Sequence, residues 1–463
     1  MPGVYNNNAV GYREVIFFVP EVTYGVPVHP SPTHAAQFLT ADLGVAHERV
    51  NRNDKTATRS YRERISHRKS GTWSVNLYVL PSGSNVTPPD ITDALEKGMG
   101  VLRAVPNSAV VAGSTTTVIN VTGGTGANYQ VGDGIGLLNA AGDLEISFIK
   151  TIATDALTVS PGFSVAPTAA ATVYGTTTYK LGNVLGSLTL TRVLDNMTSV
   201  YDGCFVNDIA FDFPGDGEAT LTIGGGCKEE FVAGVSSLQA AALIGATTIT
   251  VPTGESYRFE KNTRVLINAE GANTDEVVLI TNVNYTTDVL TITRAQAGTV
   301  ASAHGIGAII GPYEPTMTVA GSPITGTKGE FVITGLSGAR SKHDTTAQGL
   351  TIGNNSNARN SAIGQESATG FFSTAKRDVG FSVTLWLEKD KMQYYVKAKQ
   401  FVNQEILMQW GKEVGKSWAA KVGQAEFNIP AISGGGDEEV MLPITGIGLA
   451  SSAGNDECIV CYA

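Results

Sequence analysis

Charge is what this chain lacks most. Of its 463 residues, 16% are Asp, Glu, Lys or Arg, against roughly 25% in an ordinary soluble domain. A surface so short of charge points to burial against other chains. Cysteine is scarcer: Cys204, Cys227, Cys458 and Cys461 are too few for a disulfide framework at this length. Cys458-Ile-Val-Cys461 has C-x-x-C spacing, but a zinc site needs a second ligand pair and a redox motif needs a helix start. In a C-terminal strand the two thiols point to opposite faces, so they read as structural. The six histidines, His29, His34, His47, His67, His304 and His343, lie far apart without metal-binding spacing. No apolar run approaches the ~18 residues of a membrane helix. The opening Met1-Pro-Gly-Val-Tyr-Asn-Asn-Asn lacks the basic and apolar regions of a secretory signal, so a soluble protein made in a cytoplasm is expected.

Catalytic patterns are also missing. Val131-Gly-Asp-Gly-Ile-Gly136 superficially matches a phosphate-binding loop, but no helix and no downstream acid follow it. The acids of Asp212–Glu218 and of Asn268–Glu276 do not fit EF-hand spacing. Neither a Ser/His/Asp order nor a pair of carboxylates for glycoside chemistry stands out. The expectation is a protein that is not an enzyme and needs no cofactor or metal.

What the chain has is glycine, 53 residues, with much Thr, Ser and Val, which favours strands and tight turns. It also repeats itself. Thr115-Thr-Thr-Val-Ile-Asn-Val121 matches Gly245-Ala-Thr-Thr-Ile-Thr-Val251, Leu137-Leu-Asn139 matches Leu266-Ile-Asn268, and Ala156-Leu-Thr-Val159 matches Val289-Leu-Thr-Ile292. Tyr129-Gln-Val131 is paired with Tyr257-Arg-Phe259. Two copies of one small β module are expected, at 105–178 and 235–312.

The net charge of −10 is uneven. Between Glu48 and Lys69, eight basic residues face three acidic ones, a net of +5 that leaves −15 elsewhere. The basic set is Arg49, Arg52, Lys55, Arg59, Arg62, Arg64, Arg68 and Lys69. An acidic body with one basic segment can pair electrostatically with copies of itself.

Along the chain, residues 13–45 begin with an apolar strand-like run, Glu14–Val19, followed by a proline-punctuated stretch and a short helix near Thr33–Phe38; they read as an extended arm more than a core, and 1–71 as arm plus basic segment. Thr72–Val79 alternates as a strand. Pro88–Gly98 reads as a helix with Asp90 as N-cap and Gly98 as stop. Strands follow at Ser187–Thr191, Cys204–Phe213 and Glu218–Ile223, the last two flanking the hairpin turn Pro214-Gly-Asp-Gly217. The last third repeats the order: strand Asp378–Trp386, helix Asp390–Val402 with Met392, Tyr395, Val396 and Phe401 on one face, then strands at Glu405–Trp410, Trp418–Ile429 and Glu439–Leu449. Gly434–Glu438 marks the turn before the last strand. A larger domain therefore also occurs twice, at 72–104 with 179–234, and at 313–463 with a long loop over 337–376; part of the Gly/Ser/Asn-rich stretch 321–376 is expected to be strand, at Glu330–Thr334 and Gly349–Gly353.

Gly186–Arg192, Tyr201–Phe213 and Glu218–Gly226 resemble the tail tube proteins of long-tailed, siphovirus-like bacteriophages. Residues 376–449 look like that fold's closing half, and Thr72–Gly98 like its opening half. The resemblance implies a mainly β fold: β-sandwich, ring-forming barrel domains with a flanking helix, here carrying two inserted small all-β modules. It implies a structural virion protein whose rings stack into a hollow conduit for double-stranded DNA, which passes without specific binding. Its partners would be copies of itself, as a trimer of two-domain chains or a hexamer, with the tape measure, tail terminator and distal tail proteins, and no membrane. Under this resemblance the lumen-facing acids are Asp195, Asp208, Asp212, Glu405 and Glu426. The basic contacts between rings or subunits are Arg49, Arg52, Arg59, Arg62, Arg64, Arg68 and Lys69. The alternative is a receptor- or glycan-binding tail protein that uses the small modules.

Overall fold

A strand with one face in a core and the other in solvent alternates large apolar with small or polar residues. Trp73, Val75 and Leu77 are buried while Thr72 and Ser74 between and beside them are exposed, and the pattern recurs along the chain. The structure, a computed structural model, describes residues 11–55, 59–268, 275–334, 339–432 and 439–463. It is mostly β, 49% strand and 7% helical, in curled half-barrel sheets.

The first unit runs through β1 (Glu14–Pro20), β2 (Ala35–Ala36), β3 (Thr40–Asn51), β4 (Arg64–Tyr78) and α1 (Thr92–Met99). Strand β5 (Gly100–Ala104) leads into a module of β6 (Val118–Asn120), β7 (Gly134–Leu138), β8 (Leu144–Ala153) and β9 (Ala156–Ser160). Strand β10 (Thr177–Leu181) leads out, and β11 (Ser187–Leu194), β12 (Met197–Pro214), β13 (Thr220–Cys227) and β14 (Glu229–Ala233) finish the unit. The second module holds β15 (Thr248–Thr250), β16 (Thr263–Ile267), β17 (Glu276–Asn284), β18 (Val289–Gln296) and β19 (Ile309–Pro312). The second unit follows as β20 (Gly329–Thr334), β21 (Arg340–His343), β22 (Thr345–Gly353), β23 (Asp378–Trp386), α2 (Met392–Lys399), β24 (Gln404–Trp410), β25 (Trp418–Phe427), β26 (Met441–Gly448) and β27 (Ile459–Tyr462).

The second unit repeats the first, pairing for pairing. β1 pairs with β2 and β11 as β20 does with β21 and β24. β4 lies between β3 and β13 as β23 lies between β22 and β26. β12 contacts β11, β13 and β14 as β25 contacts β24, β26 and β27. Within the inner sheet one joint links the units: the end of β12, Asp208 to Pro214, pairs with β22, Gly353 to Ala347. The result is one inner sheet of eight strands in the order β3-β4-β13-β12-β22-β23-β26-β25, with outer strands of each unit closing a sandwich. The core beneath is shared. Phe213 of the first unit packs at 4.7 Å from Trp410 and 4.4 Å from Trp418 of the second.

Each module has its own core, around Ile119, Ile135 and Leu157 in the first and Ile249, Val265 and Leu290 in the second. They share a turn. Asp155 accepts from the N–H groups of Gly124 and Gly126, and Asp288 accepts from Gly254 N–H and the Ser256 hydroxyl. This turn corrects one pairing made on the sequence. Tyr129 corresponds to the buried Phe259, two residues beyond Tyr257, which the shared Tyr at a similar spacing had concealed.

Other expectations are also corrected. Residues 13–45 are not an arm. Five consecutive buried residues, Val15 to Val19, make β1 an interior strand, with Ile16 and Phe18 in the main core and Val15, Phe17 and Val19 in an outer cluster. Within the loop placed over 337–376, the strand expected at Gly349–Gly353 starts earlier, at Thr345, as β22, and β21 precedes it. Strands β5 and β10 join β27 and so extend the outer sheet of the second unit. Asp90 does not cap α1; its carboxylate accepts from Ala320 N–H, and the helix ends at Gly100, with φ 106°, rather than at Gly98. In α2 the buried residues are Tyr394 and Ala398, while Met392, Val396 and Phe401 are exposed. The turn Gly434–Glu438 lies outside the described residues. Cys458 faces the main core and Cys461 the opposite cluster, the two-faced placement expected of a strand.

Candidate assembly surfaces

Because the strand period is two, every residue type on the outer face of the inner sheet follows from the alternation. The apolar positions, among them Leu43, Val75, Leu221, Phe211, Leu350, Phe381 and Ile444, point into the core. The other face carries Thr40, Asp42 and Gly44; Ser74 and Asn76; Thr220, Thr222 and Gly224; Asp208, Ala210 and Asp212; Gly349, Thr351 and Gly353; Asp378, Gly380 and Ser382; Thr445 and Ile447; and Glu426, as the register aligns them. Not one of these positions is Lys or Arg. The face is smooth, polar and acidic across both units.

Of the five acids named from the sequence, Asp208, Asp212 and Glu426 lie on this face. Asp195 does not: it occupies the β11–β12 turn with φ 48° and is ion-paired with Arg13 at 2.8 Å. Nor does Glu405. It accepts from the Ser160 and Thr334 hydroxyls and pairs with Lys421 at 3.1 Å, between the first module and the second unit. Sequence reading took any acid near a strand, without asking which way it pointed. Two acids were missed, Asp42 and Asp378. Their signal is the alternation Ala-Asp-Leu-Gly-Val (41–45) and Asp-Val-Gly-Phe-Ser-Val (378–383), in which each acid occupies the polar phase.

The inner sheet has two open margins. β3 pairs with β4 and with no other strand among the described residues. At the far end, β25 ends at Phe427 and the chain runs on through Asn428–Ile432, held on one side by Asn428 N–H to Thr445 O, 2.8 Å. The register makes these margins counterparts of the internal joint. Thr40 to Ala46 lie opposite Asn76 to Ser70 as Ala347 to Gly353 lie opposite Thr384 to Asp378. Asn428 faces Thr445 as Asp208 faces Gly224, counting from the matched ends Tyr78↔Thr220 and Trp386↔Met441. Ile429 is 54% exposed where its counterpart Ile209 is 1% exposed. The apolar residue is present, and what covers it in the first unit is missing in the second.

Arg49, Arg52, Arg59, Arg62, Arg64, Arg68 and Lys69 do come together, on the β3–β4 hairpin. Arg52 pairs with Asp54 and Glu63 at 2.9 and 2.6 Å. Lys69 pairs with Glu229, and Arg68 donates to Ala362 O at 2.8 Å. Arg49, Arg59, Arg62 and Arg64 have no acidic partner among the described residues.

The first module is fixed to the second unit. The Gln409 side chain donates to Leu144 O at 2.7 Å and accepts from Ile146 N–H at 2.8 Å, as a neighbouring strand would. Glu145 accepts from Ser164 N–H and pairs with Lys342 at 3.0 Å. Burial pushes its carboxyl upward, but Ser164, Arg340 and Lys342 outweigh this and hold it at about 2. Among the described residues no cluster of His, Cys, Asp or Glu is arranged to hold a metal. No family model and no curated protein matches this chain.

Proposed function

We propose that this chain is the tail tube subunit of a long-tailed bacteriophage, a structural virion protein assembled in the host cytoplasm, and that three chains close into a ring. The observation that carries the reading is the open margin at each end of an eight-strand sheet whose own middle is a copy of the missing joint. Unpaired ladders are an aggregation hazard unless a partner completes them. Here Asp42–Ala46 of one chain pairs with Asn428–Ile432 of the next, as Gly349–Gly353 pairs with Asp208–Asp212 within the chain, and Ile429 becomes buried.

Strand spacing decides the number of copies. Three chains bring about 24 strands at about 4.8 Å, a wall about 115 Å around and about 37 Å across, before tilt widens it. Two chains give about 24 Å, too tight for a duplex once side chains are added; six give about 73 Å. The acidic, lysine-free face lines the bore, where it repels phosphate and leaves DNA free to slide. Tape measure, terminator and distal tail proteins are the further partners this role implies. Negative-stain images of the purified protein test it: hollow rings and tubes support it, and a monomer that persists at high concentration contradicts it.

A second reading, glycan binding by the second module, has one observation in its favour. Tyr257, 73% exposed, stacks on Tyr285 with ring centroids 4.9 Å apart; the first module has Ala127 at the place of Tyr257, and its β8–β9 turn is two residues shorter than the β17–β18 turn that carries Tyr285. Glycan-array binding that is lost in Tyr257→Ala supports this reading; tubes that bind no glycan dismiss it.

A further inference from the structure

Two of the four cysteines face each other across a strand pair. In the β12–β13 pairing Phe205 lies opposite Gly226, so Cys204 lies opposite Cys227. Directly opposed residues of antiparallel strands project from the same face, and both cysteines belong to the main core, 0% and 2% exposed. Burial, and after it the Cys227 thiol alongside, push the Cys204 thiol well above its usual range. The Cβ atoms of such a pair stand about 4.5–5.5 Å apart, and a disulfide needs about 3.5–4.5 Å. The two ranges meet, so a small closing movement is enough.

The surroundings hold the pair in place. On one side the ladder is interrupted at Gly203, φ 58°, whose N–H donates to Glu21 Oε1 at 2.8 Å, while Lys228 N–H donates to Asp202 O at 2.9 Å. On the other side Phe205 and Val206 pair with Gly226 and Gly225. β4 leaves room for the sulfur: Cys227 lies opposite Gly71, where any Cβ would collide with the Cys227 Sγ. Cys458 and Cys461 have no such option with each other, since they face opposite clusters.

We infer that Cys204 and Cys227 are a site of reversible disulfide formation, which staples β12 to β13 once the chain meets an oxidising medium. The chemistry is exchange with a small-molecule disulfide such as oxidised glutathione. One cysteine thiolate attacks a sulfur of that disulfide and releases one glutathione thiolate. The other cysteine, as thiolate, attacks the protein sulfur of the mixed disulfide and releases the second glutathione. The two cysteine protons pass to the released thiolates, so the cysteine pair loses two electrons and the glutathione disulfide is reduced to two thiols. Only the thiolate reacts, so the raised Cys204 thiol makes the exchange slow at neutral pH and faster as pH rises. In a reducing cytoplasm, where the proposed subunit is assembled, the pair stays as thiols, and outside the cell the bond forms. The staple closes the loop 204–227, which contains the stretch of β12 that joins the two units. It lies within one chain and adds no link between chains. The bond does not depend on the ring; its timing depends on that cytoplasmic assembly.

The test is the mass and unfolding of the wild-type chain, both kept folded and refolded from urea, in oxidised glutathione and in a reducing agent. The oxidised chain is expected to be about 2 Da lighter and to show two fewer free thiols after denaturation. Cleavage at Glu218, between the two cysteines, is expected to leave the fragments joined until a reductant is added. The oxidised form is expected to unfold at higher urea than the reduced form. That difference is expected to vanish in Cys204→Ala and in Cys227→Ala and to survive in Cys458→Ala. Four free thiols under both regimes overturn the inference, as does a bond through Cys458 or Cys461, or an oxidised form that unfolds at the same or lower urea. These readouts come from single chains, so their failure leaves the ring standing, and a failure to form rings leaves them unchanged.

Discussion

At the residue scale, the fold depends on places where no other side chain fits. A Cβ on Gly225 would lie 1.9 Å from Phe205 O, so Gly225→Ala is expected to cost about 1–3 kcal/mol in urea unfolding. Phe213, wedged between Trp410 and Trp418, joins the cores of the two units, and Phe213→Ala is expected to cost about 3–5 kcal/mol. His343 gives a pH signature. Burial, then the Lys391 ammonium, lowers its pKa to about 4, and its Nε2 meets the Tyr394 hydroxyl at 2.9 Å. A histidine depressed in this way binds its proton more readily when unfolded. Its stabilisation is full above about pH 6.5 and is lost as pH falls through 4, at most roughly 3 kcal/mol. His343→Phe is expected to flatten the stability profile between pH 6.5 and 4; an unchanged slope there contradicts the assignment. None of this was legible in the sequence. His343 sits in a polar stretch that marks no burial, because the burial comes from α2, about fifty positions away.

At the element scale, the alternating strands were legible, since Trp73-Ser-Val-Asn-Leu and Asp378-Val-Gly-Phe-Ser carry their own two-residue period. β1 was legible as an apolar strand-like run, but its place inside the core was not, because Val15–Val19 is buried on both faces and shows no alternation. Its proline-rich surroundings suggested an arm instead. The apolar face assigned to α2 was also misplaced. The spacing of Met392, Val396 and Phe401 is helical, but these residues are exposed, and Tyr394 and Ala398 face the core instead. Among the contacts that attach the first module is one glutamine that no pattern marks. Gln409→Leu would leave the Leu144 carbonyl and Ile146 N–H buried without partners. The expected loss is about 2–4 kcal/mol, with earlier proteolytic cutting within 105–176. A change below about 0.5 kcal/mol would show that the module is held by packing alone. The Glu145 carboxyl, depressed to about 2, stabilises this junction fully above about pH 4.5 and loses its contribution as pH falls toward 2.

At the scale of the whole molecule, the duplication was legible in outline, as strand, helix, strand, strand, strand twice over. Its extent was not. The β1–β3 and β20–β22 openings share almost no residues, and the match appears only in what each strand pairs with. The candidate acids were half legible, since nearness to a strand can be read from composition but facing needs the register. The sheet that results is unfinished in one way: each margin lacks the strand that the internal joint supplies. The measurement that tests this most directly is cysteine cross-linking in register. Ala46 and Asn428 match Gly353 and Asp208, which lie directly opposite one another, and the four native thiols are buried. Oxidised Ala46→Cys/Asn428→Cys protein is predicted to run as a covalently closed trimer, while Ala46→Cys/Ile429→Cys, one residue out of register, stays uncross-linked. Monomer alone from the first variant, or equal cross-linking from both, contradicts the ring.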